Sequence, residues 1–186
     1  MNKITDFFDK TYCVNLDKRK NRWDECVTEL TKWGIEGVER VSAVDGSTLN
    51  MSDYNTKVEP GALGLILTNI EIIKESKEKN YTSILILEDD VIFTDEINNI
   101  SDYFSQLPED WDMLYLGGNH NTHMGDKPPM LINDKVSKIH NTYTTHCVGI
   151  KNTMFDVILN NLPKLSVPID VQYANLQKIF KVYCFY

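Results

Sequence analysis

The chain has 186 residues, of which 42% are hydrophobic and 25% are charged, and its formal net charge is −8. These values are ordinary for a globular protein, so we expect a single domain over residues 1–186, and neither disorder nor a disulfide scaffold. The acidic balance argues against nucleic acid as a partner, because phosphate backbones require a clustered basic face.

The sequence carries no common signal for metal-thiolate sites or for targeting. Cys13, Cys26, Cys147 and Cys184 are widely separated and include no CxxC pair, so we expect reduced thiols and no zinc site. No run of residues is apolar enough for a signal peptide or a transmembrane segment, which predicts a cytoplasmic protein. Abundant lysine, asparagine and isoleucine beside only three arginines suggest a bacterial or viral source, and the oligomeric state is left open.

The first half of the chain alternates predicted strands with predicted helices. Apolar runs predict the strands, helical spacing of apolar residues predicts the helices, and glycine and aspartate mark the turns. In chain order these elements are a strand at 12–16, a helix at 19–33 with Asp17 as its N-cap, a strand at 38–44, a loop at 47–60, a helix at 60–79 and a strand at 83–87. The last strand is apolar without interruption, which is typical of a strand buried on both faces.

The second half continues the alternation and adds one long loop. The predicted elements are a helix near 95–106, a strand at 112–117, a polar loop at 117–135, a strand at 143–150, a helix at 152–162 and a terminal strand at 181–186. Strands that alternate with helices indicate the α/β class and a layered parallel or mixed sheet. Loops as long as 117–135 are usually functional or disordered.

The segment SILILEDDVIF, residues 83–93, ends its apolar strand with three carboxylates, Glu88, Asp89 and Asp90. Ligands of open α/β sheets bind at the carboxyl ends of strands, and three adjacent carboxylates repel one another unless a cation neutralises them. Oxygen ligands of this kind suit Mg²⁺ or Mn²⁺. The sequence alone leaves two interpretations open, a metal site and a solvated acidic turn.

The basic run Lys18–Arg22 contains two of the three arginines, Arg19 and Arg22, in the first turns of the first predicted helix. Cations at that end oppose the helix dipole unless an anion binds there, and a phosphate-rich ligand would satisfy this condition. A solvated charged helix face explains the run equally well.

Together these segments resemble glycosyltransferase family 25, the lipooligosaccharide and procollagen galactosyltransferase group. The resemblance runs along nearly the whole chain, and its motifs follow the order of the family. They are VNL with Arg19 and Arg22, ERVSAVDG from Glu39, LEDD from Leu87, PEDWDMLYLGG from Pro108, Thr145-His146-Cys147, and Pro168-Ile169-Asp170.

The resemblance implies a GT-A-like fold, a three-layer α/β sandwich around a mainly parallel mixed sheet. It also implies a UDP-hexose donor, with galactose or glucose as the sugar, and a hydroxyl of a glycan or glycoprotein as the acceptor, with inversion at the anomeric carbon. The implied cofactor is Mn²⁺ or Mg²⁺, which would offset charge as UDP departs.

The resemblance also assigns roles to individual residues. Glu88 and Asp90 are the implied metal ligands, and Asp170 is the candidate base, although a helix beginning near Val171 equally suits Asp170 as a cap. His146 and Asn69 are candidates for acceptor or metal contacts, and a structural role for His146 stays open. The implied donor-binding residues are Asn15, Leu16, Arg19, Arg22, Val44, Asp45, Gly46, Lys74 and Asp89.

The long helix departs from the family pattern. Relatives carry G..GC..SH, whereas this chain reads GALGLILTN, with Leu65 in place of Cys and Thr68-Asn69 in place of Ser-His. Relatives also continue beyond the strand that ends here at Tyr186, so we expect a short C-terminus. These departures support an alternative function, that of an inactive nucleotide-sugar-binding or assembly protein. An unrelated Mg²⁺-dependent phosphate-transfer domain would need a nucleophile that we do not find.

Overall fold

A computed structural model describes residues 3–121 and 127–185 of the chain. The helices are α1 (Lys20–Lys32), α2 (Pro60–Glu78), α3 (Ile100–Ser105), α4 (Phe155–Asn161) and α5 (Ile169–Gln177). The strands are β1 (Lys10–Asn15), β2 (Val38–Ser42), β3 (Ser83–Glu88), β4 (Met113–Tyr115), β5 (Asn119–His120), β6 (Met130–Leu131), β7 (Val136–Lys138), β8 (Thr142–Tyr143), β9 (Cys147–Lys151) and β10 (Val182–Phe185).

Within the described residues, eight strands form one mixed sheet in the order β2-β1-β3-β9-β4-β10-β7-β6, and β5 pairs with β8 separately. The pairs β1–β2, β1–β3 and β4–β10 are parallel, whereas β9 and β7 run antiparallel to their neighbours. Six of the eight strands therefore point the same way. The α/β class and the mainly parallel mixed sheet expected of a GT-A-like domain are confirmed.

Side chains of the central strands alternate between two buried layers, as the period of two in a strand requires. On one face Tyr12 of β1 and Ile84 and Ile86 of β3 pack with residues of α2, α4 and α5. On the other face Cys13, Leu85 and Leu87 pack with residues of α1 and α3. The uninterrupted apolar run of β3 is thus explained, because helices cover both of its faces.

Strand β9 joins the two parts of the sheet and carries the next segment to the site. It lies between β3 and β4, antiparallel to both, and its Cys147 pairs with Leu87 near the end of β3. The amino end of β9 therefore lies at the same edge of the sheet as the carboxyl end of β3. The residues just before β9, Thr145 and His146, meet the acidic turn for this reason.

Two glycines bring the turn after β2 directly onto α2. A Cβ at Gly46 would lie 1.7 Å from the Pro60 carbonyl oxygen, and one at Gly64 would lie 2.3 Å from the Val44 carbonyl oxygen. The Thr68 hydroxyl accepts a hydrogen bond from the Val44 backbone N–H (2.9 Å) and donates to the Gly64 carbonyl (2.8 Å). These contacts fix Val44 to Gly46 at the edge of the sheet that carries the acidic turn.

Several sequence expectations need correction. The predicted loop at 117–135 contains β5 and β6, while residues 122–126 lie outside the described part of the chain, as does Tyr186 of the terminal strand. The predicted strand at 143–150 is interrupted, because β8 ends at Tyr143 and β9 begins at Cys147. The predicted helix near 95–106 is a 3₁₀ turn at Asp95–Asn99 followed by the short α3.

The expected N-cap of the first helix is also wrong. Asp17 accepts hydrogen bonds from Arg40 Nη2 and the Ser42 hydroxyl, and Arg19 occupies the N-cap position instead. The four cysteines are buried free thiols, as predicted. Among the described residues, no helix has both the length and the apolarity required to cross a bilayer.

Candidate active site

Glu88 is fixed between the end of β3 and the start of β9. Its Oε1 accepts a hydrogen bond from the Thr145 hydroxyl (2.5 Å), and its backbone N–H donates to the His146 carbonyl (2.9 Å). Burial raises the pKa of Glu88, and the neighbouring Asp90 carboxylate raises it further, while the bond from Thr145 acts in the opposite direction. Thr145 was missing from the residues assigned to the site, although it directly precedes His146 in the matched motif.

Asp89 is the most firmly held of the three carboxylates, since its side chain is only 10% exposed. It accepts hydrogen bonds from Asn15 Nδ2 (2.6 Å) and Arg22 Nη1 (3.1 Å). Asn15 is oriented in turn by Arg40, whose Nε and Nη2 donate to Asn15 Oδ1 at 2.9 and 2.7 Å. Strands β1, β2 and β3 and helix α1 therefore meet at this one carboxylate.

Asp90 is more open, with 42% of its side chain exposed. The same Arg22 Nη1 donates to Asp90 Oδ2 at 3.0 Å. Hydrogen bonds to Asp90 and, to a smaller extent, to Asp89 raise the pKa of Arg22. The sequence around the acidic turn shows no basic neighbour, but the fold supplies one from α1. Arg22 offsets one of three negative charges, so the cluster can still attract a further cation.

A divalent ion fits the donor atoms that the fold brings together. Carboxylate oxygens of Glu88 and Asp90 and a ring nitrogen of His146 lie within 4.8 Å of one another. His146 Nδ1 is 3.9 Å from Asp90 Oδ1, the oxygen that Arg22 leaves free. Two carboxylates, of which Asp90 is open to solvent, together with an imidazole are a suitable donor set for a divalent ion such as Mn²⁺ or Mg²⁺.

A cavity of about 160 Å³ adjoins the acidic turn on the side of β1 and β2, and we call it the polar cavity because four of its described lining residues are charged. Among the described residues that line it, seven were assigned to the donor or the metal: Leu16, Arg19, Val44, Asp45, Gly46, Glu88 and Asp89. Leu65, which replaces the family cysteine, lies in its wall. Lys18 contacts Asp45 at 2.5 Å and, together with hydrogen bonds from Ser47, lowers the pKa of Asp45 to about 2.

Three assigned residues belong neither to this cavity lining nor to the cluster around the acidic turn. Lys74 is exposed in the second half of α2, where it pairs with Glu71 at 2.9 Å. Asp170 lies in the first turn of α5, its Oδ1 accepting from the Val171 N–H (2.8 Å), while Pro168 holds the N-cap position. Asn69 is buried beneath Glu88, beside a cavity of about 10 Å³, and its amide donates to the Leu65 carbonyl at 2.9 Å.

Comparison with known proteins identifies a family match that covers the part of the chain forming the acidic turn. The family described as Glycosyltransferase family 25 (LPS biosynthesis protein) matches residues 8–161, which include the acidic turn, the arginines of α1 and His146. The chain belongs to glycosyltransferase family 25. Asp170 lies beyond the matched segment of this family-25 chain.

Curated relatives of this family-25 chain include proteins named galactosyltransferases and a protein named as probably inactive. Procollagen galactosyltransferase 2 of Homo sapiens is 30% identical over 130 residues, which cover 59% of this chain and 21% of that protein. A protein of Rattus norvegicus named "Probable inactive glycosyltransferase 25 family member 3" is 30% identical over 134 residues, covering 59% and 23%. The chain thus spans about a fifth of the length of these relatives.

A solved structure shares the fold. The crystal structure of A197 from STIV superposes with a TM-score of 0.51 at 11% sequence identity, and the match covers 94% of this chain and 79% of that one. At such low identity the likeness concerns the fold alone.

Proposed function

We propose that this family-25 domain transfers a hexose, galactose or glucose, from a UDP-sugar to a hydroxyl of a glycan or glycoprotein acceptor, with inversion at the anomeric carbon. The observation that carries the proposal is the acidic turn Glu88–Asp90, which borders the polar cavity and also gathers the donor atoms for a cation. The names of the galactosyltransferase relatives support the same reaction class.

The proposed transfer is a single displacement. The acceptor hydroxyl oxygen bonds to the anomeric carbon, and the bond from that carbon to the diphosphate oxygen breaks, its electron pair leaving with UDP. The hydroxyl proton passes to a carboxylate, for which Asp170 stays the prediction. Mn²⁺ or Mg²⁺, held by Glu88, Asp90 and His146, would offset the negative charge that UDP gains.

The remaining residues bind and orient the donor. Arg19 lies in the wall of the polar cavity, and Arg22 bonds to Asp89 of the same wall, so we assign both guanidiniums to the diphosphate. Asp89 is held by Asn15 and Arg22, and in this position it orients a hydroxyl of the ribose or the donor sugar. Preorganisation of this kind lowers the cost of ordering the site on binding.

One observation favours a second candidate function, nucleotide-sugar binding without transfer. Asn69 replaces the family histidine and cannot ionise, and its amide N–H donates a hydrogen bond to the Leu65 carbonyl. The rat relative whose name calls it probably inactive belongs to the same family. Both functions require the polar cavity to bind the nucleotide sugar, and they differ only in whether the sugar is transferred.

The test compares Asp90→Ala with a matched control, Asp95→Ala. Asp95 is an exposed carboxylate five residues later and does not belong to the acidic turn. We expect UDP to bind the parent protein with Mn²⁺ in calorimetry, and UDP-galactose or UDP-glucose to be consumed. Asp90→Ala should weaken Mn²⁺-dependent UDP binding by roughly 100-fold, or about 2.7 kcal/mol, while Asp95→Ala leaves it unchanged.

Each outcome has a defined meaning. Turnover that survives Asp90→Ala excludes the metal role of that carboxylate. UDP binding without consumption of either sugar nucleotide, even with added acceptors, supports the binding protein. Absence of UDP binding with and without Mn²⁺ contradicts both functions.

A further inference from the structure

A second cavity, of about 420 Å³, lies on the opposite side of the acidic turn. Its wall is mainly apolar and is formed by the segment after β3, by α3 and by the ends of β4 and β10. The apolar residues in its lining include Val91, Ile92, Ile97, Ile100, Leu116 and Phe185. Asp90 and His146 line the same cavity, so the apolar space opens directly onto the candidate metal site.

The two cavities therefore differ in chemistry but share one acidic turn. Glu88 and Asp89 border the polar cavity, whereas Asp90 borders the apolar one. A transferase must hold two substrates on either side of the reacting centre. We propose that the apolar cavity binds an aryl or alkyl group of the acceptor, attached to the sugar whose hydroxyl is glycosylated, a proposal that rests on the proposed function.

Charge separates this cavity from the donor. The acidic side chains in its lining are Asp90 and Glu96, the latter accepting a hydrogen bond from the Tyr103 hydroxyl (2.7 Å). Among the described residues that line it there is no arginine or lysine to pair with a diphosphate, whereas Arg19 lines the polar cavity. A neutral apolar group needs no such partner, and the end of the cavity at Asp90 and His146 places its sugar beside the candidate metal site.

The size and lining of the cavity suit such a group. Cavities of about 300–1,000 Å³ with apolar walls and a few polar atoms at one end are the usual form of small-molecule sites. Each methylene that leaves water for an apolar wall raises affinity about fourfold. A free sugar has too few apolar atoms to use this wall, so the attached group would dominate acceptor affinity.

The experiment compares octyl and methyl β-D-glucopyranoside as binding probes, both below micelle-forming concentration. Their affinities are measured by saturation-transfer NMR and calorimetry on the parent chain without donor. We expect the octyl glucoside to bind at least tenfold more tightly than the methyl glucoside. Equal affinities overturn the proposal.

Two isoleucines of nearly equal exposure provide the matched variants. Ile92 is 80% exposed at the rim of the cavity, and Ile179 is 78% exposed but does not line it. We expect Ile92→Gln to weaken octyl glucoside binding about three- to tenfold and Ile179→Gln to leave it unchanged. Neither exposed position threatens folding.

Ile97→Gln probes the wall deeper in the cavity, and thermal unfolding verifies that this variant is folded. It should weaken octyl glucoside binding more than Ile92→Gln does. Octyl binding that is unaffected by both cavity variants would place the alkyl group elsewhere and overturn the proposal. UDP binding with Mn²⁺, measured on the same samples, tests the proposed function separately. If octyl glucoside binds and UDP does not, the proposed function is wrong while the apolar cavity still binds an alkyl group.

Discussion

The two sides of the acidic turn are constructed differently. On the polar side, backbone-to-backbone contact at Gly46 and Gly64 and the hydrogen bonds among Asn15, Arg40 and Asp89 fix the wall. On the apolar side, separate side chains such as Ile92 and Ile97 form the wall on an irregular segment and a 3₁₀ turn. Substitutions in the wall of the polar cavity are therefore expected to destabilise the fold. Single substitutions in the wall of the apolar cavity are expected to change which ligand binds and to leave the fold intact.

The largest expected effect follows from Gly64→Ala, which tests the rigid side. Alanine normally stabilises a helix interior relative to glycine by about 0.5–1 kcal/mol. Here the new Cβ would meet the Val44 carbonyl oxygen at 2.3 Å, so the turn must move away from α2. We expect a net destabilisation of about 2 kcal/mol in urea unfolding, with weaker UDP binding.

Gly61→Ala, in the first turn of the same helix, is the control for stability. A Cβ at this position meets no atom within 4 Å, so we expect a neutral or slightly stabilising effect. Equal stability of the two variants would show that the turn after β2 is not held by close packing on α2.

An intermediate effect is expected from Arg22→Gln, which frees the two aspartates. The guanidinium lies 3.0 Å from Asp90 and 3.1 Å from Asp89, so it competes electrostatically with a cation for the cluster. We expect Mn²⁺ alone to bind the variant roughly 3- to 10-fold more tightly, because the partly exposed pair is screened by water. UDP should bind less tightly, as its diphosphate loses a cationic partner.

Lys20→Gln removes the same formal charge from the same helical turn, at an exposed position. It should change Mn²⁺ affinity less than twofold. Tighter Mn²⁺ binding to both variants would indicate that the change in net charge is the cause. Unchanged Mn²⁺ binding to Arg22→Gln would mean that Arg22 does not compete with the cation for the two aspartates.

The smallest effect concerns acid stability of the polar side. The pKa of Asp45 is about 2, below its ordinary value of 3.8, because of Lys18 and Ser47. Such a carboxylate stabilises the fold above pH 3.8, and this stabilisation is lost as the pH falls toward 2. We expect Asp45→Asn to flatten the dependence of unfolding free energy on pH between 4 and 2.

Lys18→Gln serves as the complementary variant, since it removes the cation and keeps the carboxylate. It should flatten the same range of the curve in part. An unchanged slope in both variants would show that the Lys18–Asp45 contact does not persist in solution.

Sequence patterns predicted the parts of the fold that depend on local chemistry. The apolar runs at β1 and β3 and the helical spacing in α1 and α2 are local signals, and these elements lie where they were predicted within a few residues. The short strands β5, β6 and β7 were missed, because two or three residues carry no readable period, and β8 was merged with β9 into one predicted strand. Asp17 was misassigned because its partner Arg40 is 23 residues away and only the parallel pairing of β1 with β2 brings it near.

The candidate site shows the same limit. Position at the end of a buried strand was enough to single out Glu88, Asp89 and Asp90. The pairing of Arg22 with Asp89 spans 67 residues, and the bond from Thr145 to Glu88 spans 57, so neither has a local signature. His146 was placed on a strand, whereas it lies in the interruption that lets it face Asp90.

The central position of β9 affects how the chain folds while it is being synthesised. Within the described part of the sheet, β2-β1-β3 and β4-β10-β7-β6 are linked only through β9, whose residues 147–151 are synthesised about 60 positions after β3. Until they emerge from the ribosome, the mainly apolar strand β3 has one edge of unpaired backbone N–H and C=O groups, and contacts of such long separation form slowly. We therefore expect a nascent chain that stalls before residue 147 to aggregate more readily than the chain in which β9 has paired with β3.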